Sequence, residues 1–237
     1  MALPKLDVPS YTTVLPSTGQ TIKYRPFLVK EEKTLLLALE SEDQKQIQDA
    51  VVTLLTNCIT SRLNIKRLAM FDLEYLFLKI RAKSVSESLE LKVTCTDDNE
   101  TQVDVEIDLE DVEVLIPKEH TDIVELTEDV SVKMKYPSLD QFIKNNFGDT
   151  ETKPEEVFEL IAECIDQIID GDEVHESSSS SKKELIAFLD SLTSQQFLNI
   201  QEFFATMPKL THTFSVVNPN TKERCEYTLE GLASFFG

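Results

Sequence analysis

The chain is poor in the residues from which most recognisable active sites are built. Its 237 residues include five glycines, three histidines, four cysteines and no tryptophan. A phosphate-cradling loop needs several residues at positive φ or in close backbone approach, so such a loop is not expected. No HExxH, GxSxG, GxGxxG or GxxxxGK(S/T) motif occurs. With forty-three acidic residues, any single carboxylate pair is uninformative. We therefore expect neither an enzyme nor a cofactor.

Long apolar runs are also missing. No stretch approaches the roughly eighteen uninterrupted apolar residues of a transmembrane helix. The N-terminal sequence MALPKLDVPS lacks the charged and then apolar layout of a signal peptide. We therefore expect a soluble cytoplasmic product whose scattered cysteines stay free thiols, with Cys58 and Cys164 in the core.

The formal net charge of −20 is unevenly distributed along the sequence. Residues 97–129 carry a net charge of −13 and residues 149–176 carry −10, so the remainder is slightly positive. Nucleic acid and anionic membranes are not expected partners, because both require clustered Lys and Arg. The acidic segments form either a solvated face or a docking surface for a basic partner.

The most distinctive stretch is residues 21–43, TIKYRPFLVKEEKTLLLALESED. A short basic strand passes there into a helix in which four leucines form a wide apolar stripe. The richness in Leu, at Leu35, Leu36, Leu37 and Leu39, predicts a buried helix.

Residues 21–83 form the one mildly basic region, with eleven Lys or Arg against eight acids. Its cations have two possible partners, namely the protein's own acidic hairpins or an acidic neighbouring protein. The partner-binding candidates in this region are Lys23, Arg25 and Lys30, with Lys33 beside them.

The hydrophobic periodicity predicts an α+β fold, with helical segments packed against two or three antiparallel β-hairpins. The clearest hairpin alternates apolar and polar residues from Leu89 to Leu109 around the turn cluster TDDNE. The predicted regions are an extended arm at 1–20, a strand plus helices at 21–85, a β-hairpin region at 86–136, a helical region at 137–209 with a serine-rich loop at 174–181, and a hairpin with an apolar tail at 210–237.

Two details of the C-terminal half are expected from the same patterns. Apolar residues at helical spacing predict one helix over residues 155–169, ended by Gly171. The last residues include Phe235 and Phe236, and an apolar tail of this kind packs either on its own domain or on a partner.

Cys95 and Cys225 each lie beside the turn of a predicted hairpin, where a zinc ribbon places its ligands. One thiol per hairpin gives two ligands, and His120 or His212 are further candidates. Because neither cysteine belongs to a Cys-x-x-Cys pair, plain buried or turn cysteines are the main expectation and no metal is predicted.

Four blocks of sequence resemble the baseplate hub protein family of T4-type contractile-tailed phages. These blocks are IKYRPFLVKEEKTLLLALES, DLEYLFLKIRAKSVSE, FLDSLTSQQFLNIQEFFATMPKLTH and YTLEGLASFF. The resemblance extends from about residue 21 to residue 236. Some members of the family carry cysteine pairs in the hairpins, whereas this chain has Cys95 alone in the first and Cys225 alone in the last.

The resemblance implies a non-enzymatic component of the baseplate hub, made in the cytoplasm of the infected bacterium and acting through contacts with other hub proteins. It implies no cofactor and does not fix the oligomeric state. An acidic assembly chaperone for another hub protein, absent from the finished virion, is an equally weighted alternative. A metal-dependent or peptidoglycan-degrading hub enzyme is a weaker rival, because no convergent set of His, Cys and acidic residues supports it.

Overall fold

Short sheets and short helices alternate along the chain in the computed structural model, which describes residues 6–41, 43–138 and 154–235. The fold is α+β, as the sequence predicts. The first unit comprises Met1–Ile65, Phe71–Leu115 and Lys209–Gly237, and the second comprises Lys66–Met70 and Ile116–Pro208. Across the described ranges, no helix combines the length and apolar character needed to cross a membrane.

The helices and strands follow one another as β1 (Tyr11–Val14), β2 (Thr21–Tyr24), α1 (Val29–Glu40), α2 (Gln44–Cys58), α3 (Met70–Ser84), β3 (Ser88–Thr94), β4 (Gln102–Asp108), β5 (Glu113–Leu115), β6 (Ile123–Glu125), β7 (Val130–Met134), α4 (Pro154–Glu163), β8 (Ile165–Asp170), β9 (Glu173–Glu176), α5 (Lys182–Asp190), α6 (Ser194–Ala205), β10 (Lys209–Val217) and β11 (Arg224–Glu230). Short 3₁₀ turns lie at Ile65–Arg67, Ser177–Ser179 and Leu232–Phe235.

Part of the predicted N-terminal arm is a strand. β1 pairs antiparallel with β2, with Tyr11 opposite Tyr24 and Val14 opposite Thr21. Leu15 follows β1 and is buried, and Gly19 takes the positive φ of +68° that the connecting turn requires. A four-residue strand is too short for its alternation to stand out in the sequence, so the pairing was not predicted.

The two long hairpins form as predicted. In the first, β3 pairs with β4 from Ser88 opposite Asp108 to Thr94 opposite Gln102. In the second, β10 pairs with β11. The short strand β5 adds to the other side of β10, which gives a three-stranded sheet of order β11-β10-β5. Because β5 and β10 are distant in sequence, their pairing could not be predicted from local pattern.

The helices of the first unit supply much of its core. Asp43 caps the start of α2 by accepting hydrogen bonds from the N–H groups of Lys45 and Gln46. The end of α2 is joined to β2, since Arg25 N–H donates to the Cys58 carbonyl at 3.0 Å. In β2, α2 and α3, the largest fully buried side chains are Ile22, Leu54, Leu55, Leu76, Phe77, Leu78 and Ile80.

The second unit is built on an antiparallel sheet of order β6-β7-β8-β9. Helix α6 is tied to the end of β6, because Gln196 Nε2 donates to the Leu126 carbonyl and Asn199 Nδ2 donates to the Glu125 carbonyl, each at 3.2 Å. Capping boxes at Ser181 and Thr193 begin α5 and α6. The core cluster is Val124, Leu126, Val132, Met134, Ile161, Ala162, Cys164, Ile165, Leu185, Leu189, Ile200 and Phe203.

The prediction of one helix over residues 155–169 is wrong. α4 ends at Glu163, and residues 165–170 form β8, which pairs with β7 on one side and β9 on the other. Ile165, Ile168 and Ile169 fit helical spacing, but β-branched residues pack well on a sheet and tertiary pairing decides between the two. Gly171 therefore serves a hairpin turn at a φ of +56°, not a helix end.

The serine-rich loop is shorter than expected. Val174 belongs to the exposed strand β9, residues 177–179 form a single 3₁₀ turn, and Ser181 caps α5. The sequence also predicts a helix that opens at Pro137 and carries Leu139, Phe142 and Ile143, and these three residues lie outside the described residues.

A buried carboxylate joins the N-terminal hairpin to α3. Asp72 is fully buried in the first turn of α3, where the positive end of the helix dipole favours an acid. The backbone N–H of Ser17, in the turn between β1 and β2, donates to Asp72 Oδ1 at 3.1 Å, and the Ser17 hydroxyl donates to Oδ2. Burial raises the pKa of Asp72, although both hydrogen bonds from Ser17 oppose the shift.

This raised pKa predicts how stability changes with pH. A carboxyl group with a raised folded-state pKa contributes stability below its unfolded pKa of about 3.9, and loses it as the pH rises through the folded value. We expect Asp72→Asn, which keeps an acceptor for Ser17 N–H, to gain stability relative to the wild type between about pH 4 and pH 7. Urea unfolding across that pH range measures the difference in the free energy of unfolding between the variant and the wild type. The exposed helical change Asp49→Asn is the control, and an equal trend for both variants would contradict the prediction.

Candidate interaction surface and inter-hairpin cluster

The strand-to-helix junction is held by a buried ion pair. Glu31, in the first turn of α1, is 4% exposed, and its Oε1 lies 3.1 Å from Arg25 Nη2 and 3.2 Å from Lys30 Nζ. Its Oε2 accepts a hydrogen bond from Leu28 N–H at 2.8 Å. Burial alone would raise the pKa of Glu31, but these hydrogen bonds outweigh it and the pKa is lowered. The carboxylate is therefore charged and fixes the direction in which α1 leaves β2.

The partner-binding candidates differ in the exposure and the contacts of their side chains. Arg25 is half-buried, pairs with Glu31 and also donates from Nη1 to the Pro26 carbonyl at 2.8 Å. Its ion-pair partner is thus internal, although it is a residue of α1 and not of an acidic hairpin. Lys23 is exposed, and Lys30 keeps 70% of its side chain exposed despite its contact with Glu31.

One face of α1 is apolar and open to solvent. Leu35 faces inward, as expected, and so does Ala38, whereas Leu36 and Leu37 are 53% and 57% exposed. The prediction that the leucine-rich helix is buried is therefore wrong for these two residues. Residues 35–39 are five consecutive apolar residues, so they surround the helix, and a helix packed on one side cannot bury all of them.

The exposed stripe extends along α1 with cations beside it. Val29 is 79% exposed, and helical spacing places it on the same side as Lys33, Leu36 and Leu37. We call the surface formed by Val29, Leu36 and Leu37, with Lys30 and Lys33 beside them, the α1 face. An exposed apolar patch with charged residues around it is typical of a protein contact site.

The C-terminal phenylalanines do not contribute to this surface in the described chain. Phe235 lies in the last 3₁₀ turn and is 1% exposed, so it packs within the protein. Phe236 is outside the described residues.

The turns of the two long hairpins meet in a cluster of polar side chains, which is the second candidate site. Cys95 follows β3 and Cys225 lies in β11, and both are buried free thiols. Asp97, in the β3–β4 turn, accepts a hydrogen bond from Cys225 Sγ to Oδ1 at 3.2 Å. One ligand atom from each of Cys95, Asp97 and Cys225 lies within 4.8 Å of the others. We call these three residues the inter-hairpin cluster.

A fully buried amide holds Asp97 in place. Asn218 Nδ2 donates to both carboxylate oxygens of Asp97, at 2.9 and 3.0 Å, and to Asp98 Oδ2 at 2.9 Å. The Thr221 hydroxyl donates to Asp97 Oδ2. The hydrogen bonds from Asn218 and Thr221 lower the pKa of Asp97, so the carboxylate is charged. The β10–β11 turn is thereby fastened to the β3–β4 turn.

The remaining thiols and histidines lie elsewhere. Burial raises the pKa of Cys58 to about 11 and that of Cys164 to about 12, consistent with their predicted core positions. Within the described chain neither His120 nor His212 belongs to the inter-hairpin cluster. His120 instead contacts Tyr136 Oη at 2.9 Å and Thr206 Oγ1 at 3.0 Å, and burial lowers its pKa.

Sequence reasoning identified the two thiols of the cluster but not the residues that accompany them. Asp97 was indistinguishable within an acidic segment, and Asn218 looked like an ordinary turn residue in the Asn-Pro-Asn-Thr turn. The one available signal was that both hairpins place a cysteine next to a turn rich in Asp, Asn and Thr.

These features define a two-unit α+β protein with an exposed apolar helix face. Comparison with protein families then identifies its relatives. The family model described as T4 bacteriophage base plate protein matches residues 8–237, so the chain belongs to that family. It is a baseplate protein of T4 type, and baseplate families of this kind are typically structural. Comparisons with curated proteins and with solved structures give no match to this chain.

The ion pair at the junction gives a stability prediction. Arg25→Ala removes the guanidinium partner of the buried Glu31 carboxylate, which keeps its contacts with Lys30 and Leu28 N–H, so we expect the free energy of unfolding to fall by about 1.5 kcal/mol. Lys23→Ala removes an exposed cation of the same strand and should change it by no more than about 0.5 kcal/mol. Urea denaturation of the purified protein measures both variants. An equally small effect of Arg25→Ala would show that the pair does not hold the junction.

Proposed function

We propose that this protein is a non-enzymatic component of the baseplate hub of a contractile-tailed phage, and that it works by docking on other hub proteins. The single observation that carries the proposal is the α1 face. Leu36 and Leu37 are more than half exposed on a helix whose opposite side is buried, and family membership supplies a setting in which such surfaces meet partners.

The composition of the α1 face limits the chemistry of its partner. An apolar groove or patch would cover Val29, Leu36 and Leu37, and burial of each leucine would contribute about 1 to 2 kcal/mol. Lys30 and Lys33 border the face, so acidic residues around that groove would complement it. The acidic segments of this chain generate a negative electrostatic field. This field orients the protein as it meets a partner and disfavours contacts between acidic partner surfaces and regions other than α1.

The alternative function is that of an acidic assembly chaperone that holds another hub protein and leaves before the virion is complete. The same exposed face favours it, because an assembly factor also needs an apolar contact that its client can cover and later replace. Both functions place the protein in the cytoplasm of the infected bacterium during assembly. Only the first also places it in the tail baseplate.

Mass spectrometry of purified virions separates the two. A hub component is expected at a fixed copy number relative to other baseplate proteins. If the protein is absent from virions but present in assembly intermediates from infected cells, the result favours the chaperone function and contradicts the hub-component function. Absence from both would contradict either function.

A matched pair of substitutions tests the α1 face. Leu36→Asp places a charge in the proposed contact, whereas Leu198→Asp makes the same change at a helical leucine of equal exposure, 54% against 53%, in the second unit. We expect the first variant to lose at least about tenfold in recovery of other baseplate proteins from infected cells, because a buried hot spot contributes about 2 kcal/mol or more.

The second variant should retain the wild-type recovery. Both should unfold within about 0.5 kcal/mol of the wild type, since both positions are exposed. Equal recovery by the two variants would show that α1 is not the contact.

A further inference from the structure

The inter-hairpin cluster has the composition of a metal site. Two thiol sulfurs and a carboxylate oxygen, from Cys95, Cys225 and Asp97, lie within 4.8 Å of one another. Cys95 and Asp97 lie in the connection between β3 and β4, and Cys225 lies in β11 of the other hairpin. Ligands from two hairpins that meet at their turns are brought together by folding, not by sequence proximity.

The ligand set favours zinc over other common cations. Thiolate sulfur is a soft ligand and selects zinc over magnesium or calcium, which prefer oxygen. Zinc–sulfur bonds of about 2.3 Å and zinc–oxygen bonds of about 2.1 Å put tetrahedral ligand atoms about 3.5 to 3.8 Å apart. No pair therefore needs to approach by more than about 1 Å, and Cys225 Sγ and Asp97 Oδ1, at 3.2 Å, need only move slightly apart.

We propose that Cys95, Asp97 and Cys225 bind one zinc ion that joins the two hairpins of the first unit. Both thiols release their protons to solvent on binding, and no oxidation or reduction takes place. The two thiolates and the carboxylate supply three negative charges to the divalent ion. A water molecule completes the fourth position, as in sites with three protein ligands.

The surroundings of Asp97 already hold its carboxylate in one orientation. Asn218, fully buried, donates to both of its oxygens, and Thr221 donates to Oδ2. Hydrogen bonds of this kind orient a metal ligand, and their loss typically weakens metal binding by about 10- to 100-fold. Oδ1, which accepts from Cys225 Sγ at 3.2 Å, is the oxygen placed to share an ion with that sulfur.

Titration of the full chain with Co²⁺ under a phosphine reductant tests the site. The wild type is expected to bind one equivalent with the thiolate-to-cobalt charge-transfer absorption of a tetrahedral site, and Zn²⁺ should displace it. Cys95→Ala and Cys225→Ala should each lose that absorption. Cys58→Ala and Cys164→Ala, which remove buried thiols outside the cluster, should retain it.

A second measurement does not depend on a variant that folds. X-ray absorption at the zinc edge of the reduced wild type with one equivalent of Zn²⁺ should show two sulfur ligands at about 2.3 Å. Absence of charge-transfer absorption in the reduced wild type would overturn the proposal. So would its persistence in Cys95→Ala, or a Cys95–Cys225 disulfide in the native protein.

Discussion

A two-stranded hairpin is at best marginally stable in water, and two of the sheets in the first unit, β1-β2 and β3-β4, have only two strands. The places where these strands meet neighbouring elements, here called joints, must therefore be fixed by side-chain contacts. The buried polar residues of the described chain, Glu31, Asp72 and Asn218, all lie at these joints. Glu31 sets the angle between β2 and α1, Asp72 holds the turn between β1 and β2 on α3, and Asn218 fastens one long hairpin to the other. Each has hydrogen-bond partners that offset the cost of its burial.

The same constraint determines which surfaces are left for partners. Because the Arg25–Glu31 pair fixes α1 at its first turn, Leu35 and Ala38 must face inward and Leu36 and Leu37 must face solvent. The α1 face is thus a consequence of the junction and not of a loose helix. In a family of baseplate proteins, where subunits are held by contacts with neighbours, an outward apolar face on a rigid helix is a suitable contact element.

Local periodicity predicted the elements that do not depend on distant partners. The long hairpins, α1 to α3, α5 and α6 follow from spacing of 2 or 3.6, and so does the α+β class. Strand β8 was missed because its isoleucines also fit a helix, and only pairing with β7 and β9 decides. The exposure of Leu36 and the choice of Glu31 as the partner of Arg25 could not be predicted, because both depend on how α1 packs. Cys95 and Cys225 were recognised, but Asp97 and Asn218 join them only through the fold.

Lysine cross-linking in infected cells, followed by mass spectrometry, tests the central claim most directly. The account predicts that Lys30 and Lys33, which border the α1 face, form cross-links to other baseplate proteins, and that the exposed Lys222 in the β10–β11 turn forms few. Such links would place a partner on α1 in the native assembly. Cross-links to baseplate proteins from Lys222 and other distant lysines, with none from Lys30 or Lys33, would contradict the account.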